Sequence, residues 1–323
     1  MDIDKVIKEA QELLMENSEW KERYKGYAQT LLTNSDSIAE YRSRFKEITS
    51  LRYYISTTNA KKAKSKLLLD VRYRGQSVAT LTATKNDISI STKGKNDNNK
   101  NHFSCDVELD DDSWKSDKAR EFRKKFSNRY DTRNDTKKSN DEHHVESLLL
   151  SEFSKRNGAE KSIIGIQPVK ICGNRFGMPT PVSASNHVNP LKYSNQYGGG
   201  IDIFARTGRG RLTYLTVIEV KDKNKPIEPP KYALKQAIQY AVFIRELLRS
   251  ESGEDWYKIF GFKGPVPKKL KIRTACAMPD DIPEKSFAEK SFTIGIDEIE
   301  CHYIYFKYDG QRLSNFQTSL NSK

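Results

Sequence analysis

The amino-acid sequence predicts an α/β fold, a mixed β-sheet flanked by helices, preceded by an N-terminal helical hairpin and a small antiparallel β region. Two observations predict it. Beyond residue 140, apolar residues at helical spacing (His143 to Arg156, Tyr232 to Arg249) alternate with short runs of strand formers (Ile201 to Arg206, Leu212 to Lys221). Elements in that order place helices over the faces of a sheet. Before residue 140 the pattern is segregated instead: helical spacing first, then two-residue alternation. The chain is therefore divided into an N-terminal region, 1–139, whose role is not legible, and an α/β domain, 140–323.

Each element has its own signal. Val6, Ala10, Leu13, Leu14, Tyr24 and Leu31 recur at three- and four-residue steps and predict a helix over residues 2–32. Thr33, Asn34, Ser35 and Asp36 offer a break with capping residues, and a second helix is expected from Ser37 to Tyr53. Leu67, Leu69, Val71 and Tyr73 then alternate, Val78 to Thr84 is rich in strand formers, and Ile88 and Ile90 continue the pattern. A further strand is expected at Phe103 to Leu109, after a polar loop, KGKNDNNKN. Residues 113–130 return to helical spacing, with Phe122, Phe126 and Tyr130 four apart among basic side chains. Such a face could follow a nucleic-acid backbone, or be the solvated side of a helix with an aromatic core. The α/β domain should hold a strand at Ile163 to Ile171, a proline-bearing loop, the hairpin strands, a strand at Leu270 to Ala277, and one or two more between Phe292 and Tyr308.

Bulk composition narrows the function classes. No run of about 18 apolar residues exists to span a membrane, and the acidic, amphipathic N-terminus lacks the pattern of a signal peptide. A cytoplasmic protein without a membrane partner is expected. The four cysteines, Cys105, Cys172, Cys276 and Cys301, have neither zinc-site nor disulfide-framework spacing. The net charge of +13 favours a polyanionic partner, because lysine and arginine displace counterions from phosphate backbones.

The chemistry concentrates in the segment GGGIDIFARTGRGRLTYLTVIEVKDK. Asp202 follows three glycines, and Thr207 to Gly210 supply a turn. Glu219 and Lys221 are two apart on the return strand, so their side chains share one face. A turn centred between Gly210 and Arg211 sets Asp202 opposite Glu219. Two juxtaposed carboxylates repel, and burying them is costly unless a cation intervenes. A hard divalent ion such as magnesium, with manganese as its substitute, resolves the conflict. It would also activate water against a phosphodiester, with an ammonium beside it.

Asp202 followed by Glu219-Val220-Lys221 on the next strand resembles the D…ExK signature of the PD-(D/E)XK nuclease superfamily, with Ile201 in place of that family's frequent proline. The resemblance covers roughly residues 142–308. Gln236 and Tyr240, four apart on the following helix, are similar to the superfamily's QxxxY motif. Glu146, on a stripe with Leu149, Leu150 and Phe153, resembles the glutamate of its first core helix. The resemblance implies a restriction-endonuclease-like fold and a magnesium-dependent nuclease, an endonuclease acting on DNA. Asp202, Glu219 and Glu146 would then be metal ligands, with Lys221, Gln236 and Tyr240 completing the catalytic set. The alternative is the same fold as an inactive module binding nucleic acid or a protein; homodimerisation is open. Arg206, Arg209 and Arg211 at the hairpin, and Lys223 and Lys225 after it, are candidate nucleic-acid contacts. His143 and His144 are expected at the surface.

Overall fold

The computed structural model describes the chain except for residues 46–50, 57–65, 74–75, 85, 127–140, 156–162, 164, 172–173, 187–188, 195–197, 224–227, 285 and 321–323. It is an α/β protein with mixed sheets. Helices α1 (Ile3–Glu16) and α2 (Trp20–Phe45) open the chain. The break falls at residues 17–19, not at the expected 33–36. Asn17 caps α1 and returns its side-chain amide to the Leu13 carbonyl, while the Trp20 indole donates to Leu14. Farther on, Thr33 and Asn34 donate to carbonyls four residues back, so polar side chains that could cap are absorbed within the helix.

The first sheet contains β1 (Arg52–Ser56), β2 (Leu67–Tyr73), β3 (Gln76–Ala83), β4 (Ile88–Ser91) and β5 (Asp112–Ser113), antiparallel in order. The expected helix through Tyr53 is thus a strand from Arg52. Between β4 and β5 the expected loop and strand are replaced by α3 (Asn96–Phe103) and extended chain. Buried Asn99 explains the helix: its amide donates to Val78 and its carbonyl accepts from Cys105. Helix α4 (Asp117–Lys125) follows, with Phe122 and Phe126 buried against Tyr73 and Phe103. Its aromatics are core; Tyr130 lies outside the described residues.

Helix α5 (Asp141–Ser154) leads into β6 (Ile166–Pro168) and β7 (Lys170–Ile171), then β8 (Asn174–Pro179), β9 (Val182–Ser183), β10 (Lys192–Tyr193) and β11 (Gly200–Ile201). The expected hairpin is β12 (Ile203–Arg209) and β13 (Leu212–Val220), succeeded by α6 (Pro230–Leu248), α7 (Gly253–Ile259), β14 (Lys271–Pro279), β15 (Ser291–Ile294), β16 (Asp297–Tyr308) and β17 (Leu313–Thr318). The second sheet runs β15-β16-β14-β13-β12-β6, with β17 on β16; β13, β14 and β16 are mutually parallel. Its alternating side chains feed two cores. Leu215, Val217, Cys276 and Met278 pack with Ala237, Tyr240 and Ile244 of α6, whereas Ile218, Val220, Ala275 and Ala277 pack with Val145, Leu149 and Phe153 of α5.

The two sheets are stitched together across the boundary drawn at residue 139. Strand β8 pairs in parallel with β1 and antiparallel with β7 and β11, so these three strands extend the N-terminal sheet, while β9 and β10 pair with each other as a separate two-stranded sheet. The chain crosses between sheets twice with a single intervening residue: Val169 between β6 and β7, and Asp202 between β11 and β12. The N-terminal helices cover the α6 side, where Trp20 and Tyr24 meet Phe243 and the Trp256 indole donates to Tyr24. Among the described residues, no helix is long and apolar enough to cross a membrane.

Candidate active site

The hairpin register pairs Ile203 with Ile218 and Arg209 with Leu212, which centres the turn between Gly210 and Arg211. One step beyond, Asp202 stands opposite Glu219. Gly208 and Gly210 both have positive φ, the conformation that lets the chain reverse so tightly. Asp202 Oδ2 accepts the Val220 N–H at 2.8 Å, fixing the carboxylate against the return strand. Glu219 is buried, and its Oε1 accepts from Lys221 Nζ at 3.0 Å. The Lys221 ammonium also lies 3.4 Å from Glu142 Oε2 of α5. Glu219 Oε2 is sealed from solvent and has no hydrogen-bond partner among the described residues.

The electrostatics follow from that packing. Burial, then the Glu219 charge, pushes Asp202 well above the ordinary carboxylate range, with Lys221 opposing. Burial raises Glu219 to about 7 despite the Lys221 ammonium. Burial works against the charge of Lys221, yet Glu219, Asp202 and Glu142 together hold its pKa above the usual lysine value. Burial and mutual repulsion thus make both acids hold their protons more tightly than free carboxyls do, even beside the lysine.

Gln236 and Tyr240 of α6 reach the same region. Gln236 Nε2 donates to Glu228 Oε1 at 3.2 Å, and Glu228 in turn acts on Glu219. The partner that a buried glutamine requires is thus a carboxylate of the site. Tyr240 accepts the Ala184 N–H at 3.4 Å, and its pKa is raised by burial and by the Glu219 and Asp202 charges. Gly199 makes room: a Cβ there would lie 2.1 Å from the Tyr240 hydroxyl.

Glu146 is buried on α5 and its charge reaches Asp202, but both its oxygens have other neighbours. Oε1 accepts from Arg52 Nη1 at 2.8 Å and from the Tyr54 hydroxyl at 2.6 Å, and Oε2 is 3.5 Å from His143 Nδ1. Burial opposes ionisation, yet His143, Arg52 and Tyr54 hold its pKa below the usual glutamate value. His143 and His144 are partly exposed, with His143 near Glu146 and His144 beside the Tyr308 ring. A narrow crevice with about 10 Å³ of room, space for about one water molecule, lies where the sheets meet, lined by Arg52, Tyr54, Leu150, Gly177, Asp202 and Phe204 among others.

The candidate nucleic-acid contacts are not gathered here. Arg206 donates to the Gly261 carbonyl at 2.8 Å and lies over the Phe262 ring. Arg209 and Arg211 are exposed at the hairpin tip, seven residues or roughly 23 Å of strand from Asp202. Lys223 is exposed with its ammonium 3.6 Å from Asp222, and Lys225 lies outside the described residues. Sequence reasoning missed Arg52, Tyr54, Glu142 and Glu228. The run Arg52-Tyr53-Tyr54-Ile55 carried a usable signal, since aromatic and β-branched neighbours favour a strand.

No protein family, curated protein or solved structure matches the chain. The site is therefore argued from its own geometry.

Proposed function

We propose that the protein is a metal-dependent nuclease of the PD-(D/E)XK type, a restriction-endonuclease-like enzyme that cleaves DNA internally. The observation that carries this reading is the hairpin register, which sets Asp202 against Glu219 with Lys221 on the face of Glu219. The donor set suits a divalent ion. Glu219 Oε2 is a buried carboxyl oxygen with no hydrogen-bond partner among the described residues, a costly arrangement that a cation would relieve. Among the described residues, no cluster of three or more His, Cys, Asp or Glu side chains is close enough to hold a metal by itself. A two-carboxylate site accords with magnesium, which keeps several waters and takes few protein ligands.

Asp202 and Glu219 would hold the ion. When bound, magnesium supplies positive charge at a phosphoryl oxygen and lowers the pKa of water. The protein's own residues do the rest. The Val220 N–H fixes Asp202, and the Lys221 ammonium, kept charged by three carboxylates, offsets negative charge growing on the phosphate. Glu228, through Gln236, and Tyr240 close the α6 side of the cluster.

Purified protein should nick supercoiled plasmid in magnesium or manganese and not in EDTA. Asp202→Ala and Lys221→Ala should each reduce the rate by at least about a hundredfold while the far-UV circular dichroism is unchanged. Equal cleavage by both variants overturns the proposal. Salt-dependent DNA binding with no turnover in any divalent metal would leave the inactive binding module as the reading.

A further inference from the structure

We infer that an arginine row on the N-terminal sheet seats backbone phosphates of the nucleic acid beside the scissile bond; the inference rests on the nuclease reading above. Arg52 stands opposite Arg72 on β2 and opposite position 175, also arginine, on β8. One rung across three neighbouring strands thus carries three arginines, about 10 Å from end to end.

The row also runs into the crevice. Arg52 lines it together with Asp202, and is almost fully buried. Its Nη1 is held by Glu146, while its Nε, sealed from solvent, has no acceptor among the described residues. An orphaned buried donor costs about 1–3 kcal/mol. Tyr54, next on that face, also donates to Glu146, and its ring lies against Gly177, where a Cβ would approach to 1.9 Å. The Arg72 guanidinium sits 4.4 Å from the Tyr54 ring centroid, and its Nε donates to Asp70 at 2.5 Å.

Thr80, Thr82, Ser89 and Ser91 continue the face as half-buried hydroxyls, whereas Leu69, Val71, Leu81 and Ile90 on the other face are core. The carboxylate partners aim the two arginines without exhausting them, because a guanidinium has five N–H donors. Phosphate oxygens are the acceptors that suit a planar, forked donor next to a hydrolytic site. Glu146 then serves as a positioning residue that joins α5 to this row.

The test measures binding of a fluorescent DNA duplex to the full chain carrying Lys221→Ala, in magnesium, from about 50 to 200 mM salt. Arg72 is partly exposed, so Arg72→Met should fold. It should weaken binding about five- to tenfold and flatten the salt slope by about one, and Arg72→Lys should restore the slope. Arg52→Met combined with Glu146→Gln, which avoids a stranded buried charge, should weaken binding in the same direction with its melting transition intact. Wild-type affinity and slope in both the Arg72→Met and the double variant, while the wild-type chain cleaves DNA, overturn this inference alone. Absence of both binding and cleavage in the wild-type chain overturns it together with the nuclease reading.

Discussion

Two buried carboxylates on the same sheet are treated in opposite ways. Asp297, at the start of β16, accepts from Arg245 Nε at 2.8 Å, Arg249 Nε at 2.9 Å and the Leu270 N–H at 2.9 Å. Burial opposes its charge, but these donors hold its pKa below the usual aspartate value. Glu219, at the far end of β13, has one lysine for one oxygen and, among the described residues, no hydrogen-bond donor for the other, and its pKa is raised to about 7. The β13–β14–β16 register places them about six residues, or roughly 20 Å, apart along parallel strands. A carboxylate that serves the fold is fully met by donors, whereas the one left short of them is the acid that the nuclease proposal assigns to a metal.

The sharpest way to break this contrast is to remove each acid in turn. Asp297→Ala strands two arginines and should destabilise the protein by about 3 kcal/mol, read from urea denaturation, while folded molecules keep their cleavage rate. Loss of cleavage with unchanged stability would reverse the roles. A smaller effect sharpens the comparison from the other side. Magnesium should raise the melting temperature of the wild-type chain by about 5 °C at a hundredfold excess over Kd. It should not raise that of Asp202→Ala, and an equal rise in both would place the ion elsewhere.

The smallest effect is on pH. Glu219 binds its proton more tightly in the folded than in the unfolded chain, so without a divalent ion stability should fall as pH rises from about 4.5 to 7. Asp297 has the opposite sign: its stabilisation is present above its unfolded pKa and is lost as pH falls through the lower folded value. Magnesium must displace the protons that Glu219 and Asp202 hold, so its affinity should drop at least about tenfold per pH unit below 7. Calorimetric titration between pH 5.5 and 8 checks this, and a flat profile would dissociate Glu219 from the metal.

Much of the hairpin was legible before any coordinates. Period-two alternation aligns Glu219 with Lys221, and glycines at 208 and 210 locate the reversal. The Gln236 and Tyr240 pair was legible for the same reason, since helical spacing puts both on one face. The break between α1 and α2 was not. Thr33 and Asn34 have the chemistry to cap, and only the surrounding helix decides whether they bond forward or back.

The sequence by itself determined the local constellation: an α/β pattern, a tight hairpin, and the two acids and a lysine on its strands, because strand and helix periods act over a few residues. Tertiary structure alone decided that Arg52 and Tyr54 meet Glu146, 94 and 92 residues away, and that the crevice lies between two sheets joined at Asp202. The parallel pairing of β1 with β8 leaves no local mark, since its partners are chosen by what the whole chain can bury together.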